Sequence, residues 1–115
     1  MEDLLIKVLS VFDCPILRQG SMAQEEAYPE YFFTFWNNSA ENKYHSNDIT
    51  ATIWNYDLNF YGICPKTVYE TMSKAIEVLK EAGFIVSGKG YDVASDETSH
   101  IGRGIQIFVI EERKG

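Results

Sequence analysis

Basic residues are scarce in this chain: 10 Lys and Arg stand against 17 Asp and Glu, a net charge of −7. A protein that grips nucleic acid by neutralising phosphates needs a basic patch. Here the cations are scattered along the chain, which argues against general nucleic-acid binding. The acid surplus reads instead as a soluble, self-repelling surface. Cysteine is nearly absent. Cys14 and Cys64 have no CxxC spacing and give neither a zinc site nor a secreted disulfide framework, so two free thiols in a reducing compartment are expected. Histidine is as rare. His45 and His100 would have to converge with Asp48, Asp92, Asp96 or Glu97 to hold a metal, and no HxH or HxxxH spacing exists. No metal or other cofactor is expected. No apolar run reaches about 18 residues, so no membrane span is expected. The start, Met1-Glu-Asp-Leu-Leu-Ile-Lys, also lacks a signal peptide's basic lead and apolar stretch, and the expectation is a soluble, intracellular protein.

What the chain has in quantity is aromatic residues, and they are concentrated. Of 16 in all, 11 fall between Tyr28 and Tyr61. Aromatic and β-branched residues fit a pleated, half-buried surface, so two antiparallel strands are expected there, joined by a polar loop at 37–48. In residues 31–36 both alternating sets are apolar: Tyr31, Phe33 and Phe35 on one face, Phe32 and Trp36 with Thr34 on the other. The second face therefore needs a cover, from the chain's own loops or from another subunit. Residues 49–61 alternate in two registers, Ile49, Ala51 and Ile53 first, then Trp54, Tyr56, Leu58 and Phe60. A one-residue slip exchanges the faces of a strand, which predicts a bulge near Ile53-Trp54. The strand is also long enough to protrude from, or bend around, a small domain.

Around this hairpin, Leu5, Val8, Leu9 and Phe12 recur at helical spacing, with Glu2 and Asp3 in the first turn and Pro15 as the stop. A short strand at 16–19 and a polar connection at 21–29 follow. Pro65 opens a second helix in which Thr67 and Glu70 have capping-box spacing. Val68, Met72, Ala75, Ile76 and Leu79 form its stripe, and Gly83 and Phe84 predict a Schellman ending. A strand at 84–87, a turn or bulge at Gly88-Lys89-Gly90, a continuation at 91–93, a polar loop at 94–102 and a last strand at 103–111 complete the chain, with a frayed tail at 112–115. At 115 residues this is one domain, residues 1–115. The expected fold is α+β: an antiparallel sheet of four to five strands with two helices packed on one face.

No catalytic signature emerges. Ser99-His100 near Asp96 has the residue types of a triad, but triads are assembled from distant segments, and no GxSxG is present. Cys64 precedes the second helix, where a thiol pKa can fall, yet it reads first as a small cap residue. Arg103 lies between Gly102 and Gly104. It either pairs with Asp96 or Glu97 or reaches across an interface, where arginine is enriched. The expectation is a non-enzymatic protein.

Four pieces carry a family likeness: Tyr28-Pro-Glu-Tyr-Phe-Phe-Thr-Phe-Trp-Asn-Asn38, Ile53-Trp-Asn-Tyr-Asp-Leu-Asn-Phe-Tyr61, Gly83-Phe-Ile-Val-Ser-Gly-Lys-Gly90 and Ser95-Asp-Glu-Thr-Ser-His-Ile-Gly-Arg-Gly-Ile105. Together they resemble the small tail-completion or tail-terminator proteins of long-tailed bacteriophages and prophages of Gram-positive bacteria. The likeness spans nearly the whole chain and extends to head–tail connector components of similar size. It implies a small antiparallel sheet with helices on it and a homo-oligomeric ring, six-fold in the first instance, at the head-proximal end of the tail. Its implied partners are further copies of itself, the tail-tube protein and a head-completion or connector protein. DNA would pass through the ring without specific binding. The implied location is the host cytoplasm during assembly, then the virion tail. The candidate contact residues are Phe32 and Trp36 on the second face, Tyr44 and His45 in the first loop, and His100 and Arg103 in the second. Two other readings stand beside this one: a small cytosolic ligand-binding or enzymatic domain with an aromatic pocket, and an adaptor that binds a host protein through residues 31–36.

Overall fold

The computed structural model describes residues 2–18, 29–45, 48–95 and 98–112. The expectations for the connection at 21–28, for the tail at 113–115 and for Asp96 and Glu97 lie outside them. The elements are α1 (Glu2–Leu9), a 3-10 turn (Ser10–Phe12), β1 (Ile16–Arg18), β2 (Tyr31–His45), β3 (Asp48–Gly62), α2 (Pro65–Glu81), β4 (Ile85–Val93) and β5 (Ile101–Glu112). The α-helix at the start is shorter than its apolar spacing suggests. It tightens after Leu9, and Asp13 in the left-handed conformation (φ 54°) turns the chain before Pro15 is reached.

The five strands form one sheet in the order β1-β2-β3-β5-β4. It is mixed, which corrects the expectation of a purely antiparallel sheet: β1 runs parallel to β2, with Ile16 beside Phe33 and Arg18 beside Phe35. The other neighbours are antiparallel. A parallel pair needs a long return connection, and 12 residues separate Arg18 from Tyr31 in the sequence. β5 lies between β3 and β4, so α2 links two strands separated by a third.

The register sorts the side chains. Phe33 and Phe35 of β2 lie opposite Phe60 and Leu58 of β3, and Leu58 and Tyr56 lie opposite Ile105 and Ile107 of β5. These residues form one core with Leu5 and Leu9 of α1 and Val68, Met72, Ala75 and Leu79 of α2. Both helices therefore cover the same face. α2 starts at Pro65 with Cys64 as N-cap and no side-chain capping bond, so the Thr67–Glu70 box does not cap it. Thr67 already stands inside the first turn. The other end is the expected Schellman motif: the Gly83 amide donates to the Lys80 carbonyl at 3.1 Å and the Phe84 amide to the Leu79 carbonyl at 2.9 Å. Gly83 takes φ 98°, and Phe84 is buried in the same core as Leu79.

The main departure is at residues 37–48, expected as a loop. Residues 37–45 and Asp48 are strand, and β2 and β3 pair from Tyr31 opposite Gly62 to His45 opposite Asp48. Ladder hydrogen bonds are made by the backbone and do not require apolar side chains; residues 38–44 hold their polar side chains out in solvent. The 15 residues of each strand at about 3.3 Å apiece give roughly 50 Å, close to the molecule's longest dimension of 53 Å. The radius of gyration is 15.4 Å, against about 13.4 Å for a compact chain of this size. The hairpin is thus an arm that runs beyond the helix layer.

The bulge expected near Ile53-Trp54 is not there: β3 pairs with β5 without a break from Ala51 to Gly62, and its even-numbered residues keep one face over that span. The irregularities lie to either side. β2 carries the extra residue Asn38 between Asn37 and Ser39, opposite Tyr56 and Asn55, and β3 carries the extra residue Thr50 opposite the Lys43–Tyr44 step. In β4 the Gly88-Lys89-Gly90 stretch is a bulge between Ser87 and Tyr91, with Gly88 at φ 74° and Gly90 at φ 102°.

Candidate interaction surface

No helix covers the second face of the sheet, and its side chains divide into three zones along the strands. At the end nearest Tyr31, Phe32 stacks on Tyr61 (centroids 5.3 Å apart) and meets the His100 ring at 6.0 Å. Gly102 lies beneath them, where a Cβ would come within 2.6 Å of both the Tyr61 ring and Val93. In the middle are Thr34, Asn59, Asp57 and Tyr91. The Asp57 Oδ1 and Thr34 Oγ1 atoms are buried there with no hydrogen-bond partner among the described residues. Burial, and then the Asp57 charge, push the Tyr91 phenol above its ordinary pKa. Toward the arm the face becomes apolar again, with Ile85 beside Phe108 and Ile53 beside Ile110; Ile85 and Ile110 are exposed.

Of the six residues picked out from the sequence, only Phe32 and His100 are brought together. Trp36 and Tyr44 are exposed, at 47% and 63%, and lie along the β2 edge of the arm. His45 ends β2 opposite Asp48. Phe32 and His100 are buried, at 3% and 9% exposure. His100 donates from Nε2 to the Pro29 carbonyl at 2.8 Å, and Ser99 Oγ lies 2.9 Å from Nδ1. The histidine thus ties the approach to β5 to the start of β2. The Ser99–His100 contact is local in sequence.

Arg103 points to the helix face. Its Nη1 donates to Asp92 Oδ1 at 2.9 Å, the Tyr69 hydroxyl donates to the same oxygen at 2.8 Å, and the guanidinium carbon stands 5.0 Å from the Tyr69 ring centre. Arg103 is held by Asp92, whereas the expected Asp96 and Glu97 lie outside the described residues. In the sequence Asp92 stands out only as a carboxylate for a metal, within the continuation of a hairpin at 91–93. The strand alternation there, which turns Asp92 away from Tyr91 and Val93, was the available signal. The Tyr69 hydroxyl and Arg103 hold the Asp92 carboxyl below its ordinary range, and Asp92 raises the Tyr69 phenol in turn. At the start of α2 the Thr67 amide, followed by its hydroxyl, holds the exposed Cys64 thiol below the usual value. Cys14 is raised by burial and then by Asp13.

The arm carries features that sequence reading missed altogether. Among the described residues none pairs with the outer side of β2 beyond Arg18, and residues 36–44 form an open strand edge with respect to them. On the opposite margin β4 begins at Ile85, opposite Phe108, and residues 110–112 of β5 extend past it as a second open edge. Among the described residues no cluster of His, Cys, Asp and Glu could hold a metal ion, and no helix is long and apolar enough to cross a membrane. No protein-family model matches the chain, and no curated protein matches its sequence.

Proposed function

We propose that this chain is a non-enzymatic structural subunit of a phage tail, assembling with copies of itself into a ring at the tail's head-proximal end. The ring caps the polymerised tail tube and presents its other surface to a head-completion or connector protein. The observation that carries the reading is the arm: a β2–β3 hairpin extending beyond the helix layer, with Trp36 and Tyr44 exposed along it. A monomer gains little from such an element, whereas a subunit can use it to reach its neighbour. The family likeness of the four aromatic and glycine-rich pieces supplies the tail as the setting. The net charge of −7 agrees with a passage through which DNA slides without adhering. On this reading the protein works in the host cytoplasm during assembly and then in the virion.

The test is native mass measured alone and after addition of the tail-tube protein of the same phage or prophage. A ring-sized species that binds tube ends is the expected result. A chain that stays monomeric and leaves tubes uncapped overturns the proposal.

A further inference from the structure

We infer that neighbouring copies join through the two open edges of the arm, β2 of one copy lying beside β5 of the next, in parallel. This deepens the tail-ring reading and rests on it.

An open strand edge is a template for pairing, and soluble proteins blunt such edges with bulges, charges or short length. The β2 edge is blunted at one end of a regular segment, where Asn38 is an extra residue between Asn37 and Ser39. From there residues 39–43 pair regularly with residues 55–51 of β3, up to the slip at Lys43/Tyr44, where the extra residue is Thr50 on β3. A short, regular segment admits a partner of defined length and register. The β5 edge answers it at the same height. Ala51 is the partner of Lys43 on one side and of Glu112 on the other, and Ile53 likewise faces Glu41 and Ile110. The two free edges therefore share the rows from Glu41 and Ile110 to Lys43 and Glu112 of one three-stranded arm.

Direction and charge agree with head-to-tail pairing. β2 and β5 are each antiparallel to β3, so they run the same way. Two copies set side by side in one orientation bring β2 and β5 together in parallel, which is the heterologous contact from which rings close. At matched height Lys43 of one copy stands beside Glu112 of the next, on one face of the joined sheet, and opposite charges on neighbouring strands favour that register. Pairing β2 with β2 across a two-fold axis would use one edge twice and leave β5 open. A second copy placed head to tail satisfies both.

The experiment uses the full chain in a Cys64→Ser background, with Lys43→Cys and Glu112→Cys introduced singly and together. Under mild oxidation the pair should give a ladder of linked chains ending at the ring-sized species, and each single variant should stay unlinked. Linked dimers from Lys43→Cys alone indicate β2–β2 pairing and overturn the inference. As a second measurement, Lys43→Glu and Glu112→Lys should each weaken assembly by about tenfold or more, and the double swap should restore it. Assembly untouched by either single swap also overturns the inference while leaving the ring reading standing. A wild-type chain that never assembles removes both.

Discussion

Cys64 and Cys14 offer a direct probe of local electrostatics. Cys64 is exposed and its thiol is lowered by the Thr67 amide, whereas Cys14 is raised by burial and by Asp13. Thiolate is the reactive form, so at pH 7.5 a thiol reagent should label Cys64 well before Cys14, as peptide mass mapping would read. Equal rates would mean that the start of α2 exerts no such field. Two glycines give a second residue-scale comparison. An alanine at Gly102 would press its Cβ into the Tyr61 ring and Val93, both at 2.6 Å, and overpacking of this kind costs about 1–3 kcal/mol. An alanine at Gly83 meets nothing within 4 Å but must adopt φ 98°, at about 1–2 kcal/mol. Urea midpoints should fall in both variants, and restoring space with Tyr61→Ala should offset part of the loss only in Gly102→Ala.

At the scale of elements, the Tyr69–Asp92–Arg103 contact fastens α2 to β4 and gives the fold a pH signature. The folded Asp92 carboxyl sits below its ordinary 3.8. Its stabilisation is complete above that value and is lost as pH falls through the lower folded value. Tyr69 is raised above its ordinary 10.0, so its share is present below that pH and disappears as pH rises through the folded value. Thermal melts of Asp92→Asn should lack both slopes. The effect is small because the carboxylate faces solvent. The arm makes a different demand. Replacing residues 42–52 by a two-residue Asn-Gly turn should leave the helix-covered core folded, with its melting cooperative, while abolishing assembly. Loss of folding instead would make the arm part of the core.

These elements also show what the sequence makes legible. α2 and its Schellman ending could be read because a 3.6-residue apolar stripe and a terminal glycine are local signals. The apolar second face at residues 31–36 was equally visible in the alternation. The outer half of the hairpin was not, since Asn37 to Tyr44 pairs through its backbone and leaves no apolar period to detect. The parallel β1 depends on a return path that three strand residues cannot encode. The site fared worse. Trp36 and Tyr44 emerged as exposed aromatics, but burial of Phe32 and His100 arises from tertiary contacts with Tyr61 and Pro29, and Arg103 found Asp92 across a strand pair.

At the scale of the molecule, strand order sets the order of construction. β3 and β4 are made before β5, yet neither pairs with the other, because the strand that joins them comes later in the chain than both. Ile105, Ile107 and Val109, which close the core beneath α2, arrive with it. A chain ending at residue 100 should therefore show no cooperative unfolding transition by circular dichroism, even though both helices and the long hairpin are present. β5 also carries Glu112 and the second open edge, so a truncated product lacks the surface by which one copy would receive the next. On the proposed reading, closure of the core and the edge that would receive a neighbour arrive with one and the same strand, β5.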